Sequence, residues 1–246
     1  MRLFGLIGKK LGHSFSKGYF TEKFAREGIT DCHYELFELG TIEELRALLD
    51  QQPDLEGLNV TIPYKQDVFP FLHQLDASAQ KVGAVNVIKR DAKGKLTGYN
   101  SDYYGFRTSL ENWLPAGFDG QALVLGTGGA SRAVCAALQD MGIGYVQVSR
   151  TEGEQQVTYE ELRANELLSL HHLVINTTPL GMHPQTESAP DLNWEEAGAR
   201  HYFYDLVYNP AETRFMVLGK EQGGQSKNGL EMLHLQAEKS WEIWNS

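Results

Sequence analysis

The run Gly-Thr-Gly-Gly-Ala-Ser at residues 126–131 has the residue types needed to cradle a phosphate. It follows an apolar stretch, residues 122–125, that reads as a buried parallel strand. It leads into residues 130–138, rich in Ala and Leu and free of breakers, which read as a helix. In that setting the glycines let the backbone approach a dinucleotide pyrophosphate, and the helix N-terminus offers N–H groups and a partial positive charge. Ser131 stands where the third glycine of the fingerprint would be, so the loop alone is also compatible with a tight turn that holds no ligand. A second apolar strand, residues 145–148, ends in Ser149-Arg150-Thr151, with no carboxylate before Glu152. NAD sites place an acidic residue at this strand end for the ribose 2′-hydroxyl, whereas an arginine accommodates a 2′-phosphate. Arg150 can also lay its planar face on an adenine. NADP is therefore favoured over NAD, the alternative for Arg150 being a solvated surface side chain.

Proton transfer needs a different set, and the first half of the chain carries one. Asn59 and Thr61 alternate onto one face of a strand, and Lys65 follows just past its C-terminal end, where open α/β sheets place ligands. A lysine bordering a crevice can give or take a proton; the plainer reading is a solvated lysine at a helix start. Asp102, in Asn-Ser-Asp at 100–102, is either its partner or a first-turn carboxylate of the helix that begins there. Ser14 and Ser16 enter another helix, where one of them can simply be its cap, Ser16 being nearer the helix start. Asn86 interrupts an otherwise apolar strand and must find partners if buried. Such hydroxyls and amides suit a polyhydroxy or carboxylate ligand. The eight histidines show no metal-binding arrangement, His171, His172 and His183 reading as surface or loop residues, and no metal is expected.

The elements that must position these groups alternate between strand and helix. Strands are expected at residues 3–7, 34–39 and 55–62, the last stopped by Pro63. Helices are expected at 16–27, with Phe20, Phe24 and Ala25 on one face, and from Thr41, with Glu44 completing a capping box. Short helical pieces at 66–72 and 77–82 precede a hairpin, 84–90 and 95–99, around residues 91–94. A helix at 102–113 bridges to the second half. There the nucleotide unit continues through a helix at 159–168, strands at 173–176 and 202–208, and a helix at 211–222. A final helix at 229–244 has Leu230, Leu233, Ala237, Trp241 and Trp244 at helical spacing. The stretch from Arg150 to Leu173 is too short for both a helix and a strand of ordinary length. The expected architecture is α/β in two domains: residues 1–101, a Rossmann-type domain at 102–236, and a helix end at 237–246 returning to the first.

With 246 residues and 41% hydrophobic content the chain can bury one large core or two modest ones. Lys and Arg number 22 against 32 Asp and Glu, and a net charge of -10 argues against nucleic acid or an anionic membrane as partner. Only Cys32 and Cys135 are present, without metal-type spacing, so a reducing, cytoplasmic compartment is expected. No apolar run approaches the length of a membrane span, and the amino terminus reads as a first strand rather than a signal peptide.

Taken together, these motifs resemble the shikimate dehydrogenase family along nearly the whole chain. The matching pieces are those at 12–16, 59–65, 83–86, 100–102 and 126–131, with Asn-Thr-Thr-Pro-Leu-Gly-Met at 176–182, Tyr-Asp-Leu-Val-Tyr-Asn-Pro at 204–210, and 228–233 with Gln236. The resemblance implies an N-terminal substrate domain and a C-terminal NADP-binding domain. It implies reversible reduction of 3-dehydroshikimate to shikimate with NADPH, on the route to chorismate and the aromatic amino acids. On matching positions it implies Lys65 and Asp102 as the catalytic pair. Ser14, Ser16, Thr61, Asn86, Tyr208 and Gln236 would surround the substrate. Gly126, Gly128, Gly129, Ala130, Ser131, Ser149, Arg150 and Thr151 would hold the phosphates and adenosine. Thr177, Met182, Gly229 and Met232 would lie along the ribose and nicotinamide. Three positions depart from the family pattern: Lys17 stands for Pro, Ser149 for Asn, and Glu154 where a second basic residue is common. The competing readings are a quinate/shikimate dehydrogenase with relaxed NAD or NADP use and a non-catalytic nucleotide-sensing module. The assembly is expected to be a monomer or a homodimer.

Overall fold

The computed structural model describes residues 1–12 and 14–246; His13, inside the motif at 12–16, lies outside them. The chain forms two compact units, Met1–Ser101 with Ala237–Ser246, and Asp102–Gln236.

The first unit is built on one mixed six-stranded sheet, ordered β2-β1-β3-β5-β6-β4. Its elements run β1 (Arg2–Gly8), α1 (Phe15–Glu27), β2 (Cys32–Glu38), α2 (Glu44–Gln51), β3 (Leu55–Val60), α3 (Tyr64–Asp67), β4 (Gln74–Leu75), α4 (Ala77–Val82), β5 (Val87–Arg90) and β6 (Leu96–Tyr99). Strands β2, β1 and β3 are parallel, and β5 turns antiparallel to β3 and to β6. The chain leaves this unit in the first residue of α5 (Ser101–Trp113) and re-enters it within α10 (Leu230–Asn245).

Trp241 and Trp244 of α10 complete an aromatic cluster with Phe4, Phe20, Phe24 and Tyr34. Trp244 stacks on Phe4 at 4.8 Å and Phe20 on Tyr34 at 4.6 Å. Each such pair contributes about 0.5–1.5 kcal/mol beyond its buried area. The Trp244 Nε1–H donates to the Ile88 carbonyl, satisfying its one polar atom.

The second unit carries an all-parallel sheet ordered β12-β11-β10-β7-β8-β9. Its elements are β7 (Ala122–Leu125), α6 (Gly129–Asp140), β8 (Tyr145–Ser149), β9 (Gln156–Thr158), α7 (Tyr159–Ala164), α8 (Leu167–Leu170), β10 (Leu173–Asn176), β11 (Tyr202–Asp205), α9 (Arg214–Glu221) and β12 (Gln225–Lys227). Counted within the unit this is the order 3-2-1-4-5-6, whose reversal between β7 and β10 marks the ligand crevice of doubly wound folds. Residues of β7 and β10 are buried on both faces, as parallel strands under helices must be. Among the described residues no helix is long and apolar enough to cross a membrane.

Several elements differ from their sequence reading. On α1 the buried face is Phe20, Lys23 and Phe24, while Ala25 is exposed. Lys23 tolerates burial because Glu27 and Glu238 both pair with it. α2 begins at Glu44 rather than Thr41; Glu44 accepts from the Gly40 and Thr41 amides, so only half of the expected capping box forms. The helix expected at 159–168 breaks where Glu166 takes a φ of 50°, giving α7 and α8. The strand expected at 202–208 ends at Asp205, and α9 starts at Arg214 behind a Thr213 cap. The short strands β4 and β12 carry too few residues to show a period. His171 is buried, its Nδ1 against the Leu167 carbonyl.

Candidate active site

In the first unit the expected substrate residues cluster at the carboxyl ends of β1 and β3. Ser14 caps α1: in extended conformation it accepts from the Ser16 amide at 3.3 Å. Thus Ser14, not Ser16, is the cap. Ser16 hydrogen-bonds Tyr34, whose phenol, pushed up by burial, stays protonated and donates to Asn59 Oδ1 at 2.8 Å. Asn59 Nδ2 in turn donates to Ser240 Oγ at 3.0 Å and to the Asn86 carbonyl at 3.3 Å. Ser240 Oγ lies 3.3 Å from Ser101 Oγ, which accepts from Asn86 Nδ2 at 3.0 Å. Asn86 Oδ1 accepts the Ser101 amide at 2.7 Å. The amide of Asn86 is therefore held in one orientation by both polar atoms of Ser101, the residue before Asp102. Tyr34, Asn86, Ser101 and Ser240 are all buried, so their satisfaction is what makes this polar chain tolerable inside the unit.

Sequence reading placed Ser16 and Asn86 at the site. It left Tyr34, Ser101 and Ser240 out, and saw Asn59 only as the strand-mate of Thr61. One cue was present: Ser240 falls on the buried stripe of the last helix, three residues after Ala237.

Thr61 follows β3, with its backbone N–H on the Ile7 carbonyl at 2.9 Å. Gly8 lies so close that a Cβ there would sit 2.6 Å from Thr61 Cγ2. Lys65, in the single turn of α3, is half-buried. Its carbonyl accepts the Val85 amide at 2.8 Å, docking the turn against the segment that carries Asn86 into β5. Asp102 and Gln236 fall in the second unit, each at the junction on a helix shared by the units. Asp102 is buried in the first turn of α5, and Gln236 is the residue before the chain re-enters the first unit in α10.

In the second unit the glycine loop leaves β7 at the crevice. Gly126 has φ +108°, a backbone that side chains avoid, and a Cβ on it would meet Thr177 Oγ1 at 2.7 Å. Thr177 Oγ1 donates to the Leu125 carbonyl at 2.7 Å and so fastens the loop after β10 to the one after β7. At Gly128 and Gly129, by contrast, a Cβ would meet nothing within 4 Å. The protein itself imposes no close contact there, so the open face above the start of α6 fits a dinucleotide phosphate. Ala130 is half-buried in the first turn. Ser131 is fully buried and its hydroxyl donates to the Gly128 carbonyl at 2.6 Å. It shapes the loop from inside.

Ser149 is buried at the end of β8 and accepts the Thr151 amide at 3.3 Å; Arg150 and Thr151 are exposed beside it. Met182 is exposed and half-buried Tyr208 follows β11, whereas Met232 is packed into the core with Phe106, Leu110 and Tyr204. Gly229 is buried so tightly that a Cβ would lie 2.2 Å from the Leu206 carbonyl oxygen.

Comparison with known proteins gives this geometry a family. Residues 6–88 match the model described as shikimate dehydrogenase substrate binding domain. A protein of Clostridium beijerinckii named shikimate dehydrogenase (NADP(+)) is 41% identical over 99% of this chain and 92% of its own. The shikimate 5-dehydrogenase of Thermus thermophilus, solved with NADP(H) and shikimate, superposes with a TM-score of 0.85 at 30% identity, covering 99% and 93% of the two chains. The quinate dehydrogenase of Corynebacterium glutamicum, solved with NAD, reaches a TM-score of 0.88 at 26% identity over 99% and 93%. The chain belongs to the shikimate dehydrogenase family.

Proposed function

We propose that this chain is an NADP-dependent shikimate dehydrogenase, reducing 3-dehydroshikimate reversibly to shikimate on the route to chorismate and the aromatic amino acids. The observation that carries the reading is the glycine loop, open at Gly128 and Gly129, at the switch point of a 3-2-1-4-5-6 sheet. The chain that carries it is 41% identical over its length to an enzyme named for that activity. NADP over NAD follows from Arg150, exposed at the end of β8 with no carboxylate in the ribose position. Two free, buried thiols, Cys32 and Cys135, fit a reducing cytoplasm.

When bound, the nicotinamide supplies the hydride for the ring ketone. The Lys65 ammonium stabilises the negative charge that develops on the ketone oxygen and delivers a proton to it. Asp102 orients the lysine and the hydroxyl formed. Ser14 and Ser16 donate hydroxyls to the substrate carboxylate. Asn86, locked by Ser101, meets the ring hydroxyls with Thr61, Tyr208 and Gln236. Gly128, Gly129 and Ala130 present backbone to the pyrophosphate, and Thr177, Met182 and Gly229 border the nicotinamide side.

The test is Lys65→Met. It keeps the fold and shikimate binding and lowers kcat by roughly two to four orders of magnitude, the usual worth of positioned acid–base help. Near-normal turnover would remove Lys65 from the mechanism. The likeness to a quinate dehydrogenase with NAD supports a second reading, relaxed substrate and cofactor choice, which kinetics with quinate and NAD separates from the first.

A further inference from the structure

The second unit contains a carboxyl for which proton transfer has no use. Asp205 ends β11 with 0% of its surface exposed. Its bonding partners are neutral donors: Asn176 Nδ2 and the Val207 amide, each 3.0 Å from Oδ1, and Thr213 Oγ1, 2.6 Å from Oδ2. Burial without a cation pushes this carboxyl up to about 6. If β11 merely needed to end here, a neutral side chain would serve at lower desolvation cost.

The bonds lead outward to three loops. Thr213 Oγ1 also accepts the Met216 amide and caps α9, closing residues 206–213. Asn176 Oδ1 accepts from the Thr178 amide at 3.0 Å and its hydroxyl at 2.6 Å, and Thr178 Oγ1 accepts from the Leu180 amide, setting the course of residues 177–182. Thr177 then joins that loop to the end of β7. From the other side Gly229 N donates to the Val207 carbonyl and Asn228 Nδ2 to the Ala211 carbonyl.

We propose that Asp205 is a positioning residue for the nicotinamide half of the dinucleotide site, holding the 177–182 loop in register with the 206–213 loop and, through Val207, with Gly229, so that Thr177, Met182 and Gly229 are presented together. The proposal rests on the reading above that Thr177, Met182 and Gly229 border the nicotinamide. A purely structural carboxyl would affect the stability of the unit and all its ligands alike. A positioning carboxyl acts on the nicotinamide half of the dinucleotide and spares the adenosine half.

The full chain is tested as Asp205→Asn, which keeps two acceptor contacts, and as Thr213→Val, which leaves the carboxyl in place. Dissociation constants for NADP, and for adenosine 2′,5′-bisphosphate as a probe of the adenosine half, are measured alongside melting temperature. The expected result is an NADP constant raised about tenfold or more in both variants. Adenosine bisphosphate stays within about twofold. An unchanged NADP constant overturns the proposal, as does a fall in adenosine bisphosphate affinity in step with NADP. If Asp205→Asn fails to fold, Thr213→Val decides. Met182→Ala is the control: should it too leave NADP binding unchanged, the placement of the loops at the nicotinamide has failed and the inference with it. If Met182→Ala weakens NADP while the other two do not, only the role of Asp205 has failed.

Discussion

Ser14 and Ser16 have the same side chain and different work. Ser14 terminates α1 by accepting the Ser16 amide, so Ser14→Ala removes a cap and costs about 1 kcal/mol of stability. If it also donates to the substrate carboxylate, the same change raises the shikimate KM about tenfold or more. Ser16→Ala should raise that KM equally with a smaller drop in melting temperature, because Ser16 caps nothing. An unaltered KM in either variant would take that serine out of the substrate site. The spacing of the two serines was legible in the sequence; which one caps was not. Capping depends on the extended backbone at Ser14 (φ −71°, ψ 124°), which only the folded loop sets. Asn86 shows the same limit. A lone amide in an apolar strand announced a buried polar group, but its partner Ser101 and the chain through Ser240, Asn59 and Tyr34 join residues far apart in sequence, where no local pattern can point.

At the scale of elements, the proposed cofactor choice is tested at the end of β8. Arg150 projects from a turn whose Ser149 is buried and whose Thr151 is tied by the Gln156 side chain at 2.8 Å. Arg150→Asp therefore weakens NADPH far more than NADH in KM, since it removes a cation and supplies a ribose acceptor. Equal effects on both would show that Arg150 does not read the 2′-phosphate. The end of β11 makes a prediction of opposite kind, in pH.

Asp205 is raised by burial from 3.8 to about 6. The unfolded chain therefore releases this proton first, and the stability associated with it is complete below pH 3.8 and lost as pH rises through about 6. The loss is roughly 3 kcal/mol. The stability difference between wild type and Asp205→Asn, followed by denaturant unfolding from pH 4 to 7, should shrink by that order in favour of the variant. A difference that stays flat across the window would contradict the buried, cation-free description of Asp205. The sequence placed β11 but extended it past Asp205, because Leu206, Val207 and Tyr208 continue an apolar pattern. The strand stops where Asp205 turns the chain by taking the Val207 amide.

For the whole molecule, each unit has its own sheet and core, and two helices, α5 and α10, belong to both. The alternation of strand and helix, the glycine loop and the apolar stripe of the last helix were all readable, since each is a local period or a local turn. The parallel order β12-β11-β10-β7-β8-β9 was not, because β9 and β12 are three residues long and leave no pattern. The net charge of -10 does not oppose an anionic ligand here, because the proposed recognition rests on Lys65, Arg150 and the start of α6, local donors that act within about a Debye length. Steady-state kinetics of the purified chain with shikimate and quinate, each against NADP and NAD, tests the central claim most directly. The account predicts the highest kcat/KM for shikimate with NADP, exceeding quinate with NAD by about tenfold or more. Equal use of NAD and NADP, or a folded protein that binds shikimate and NADP without turning them over, would contradict it.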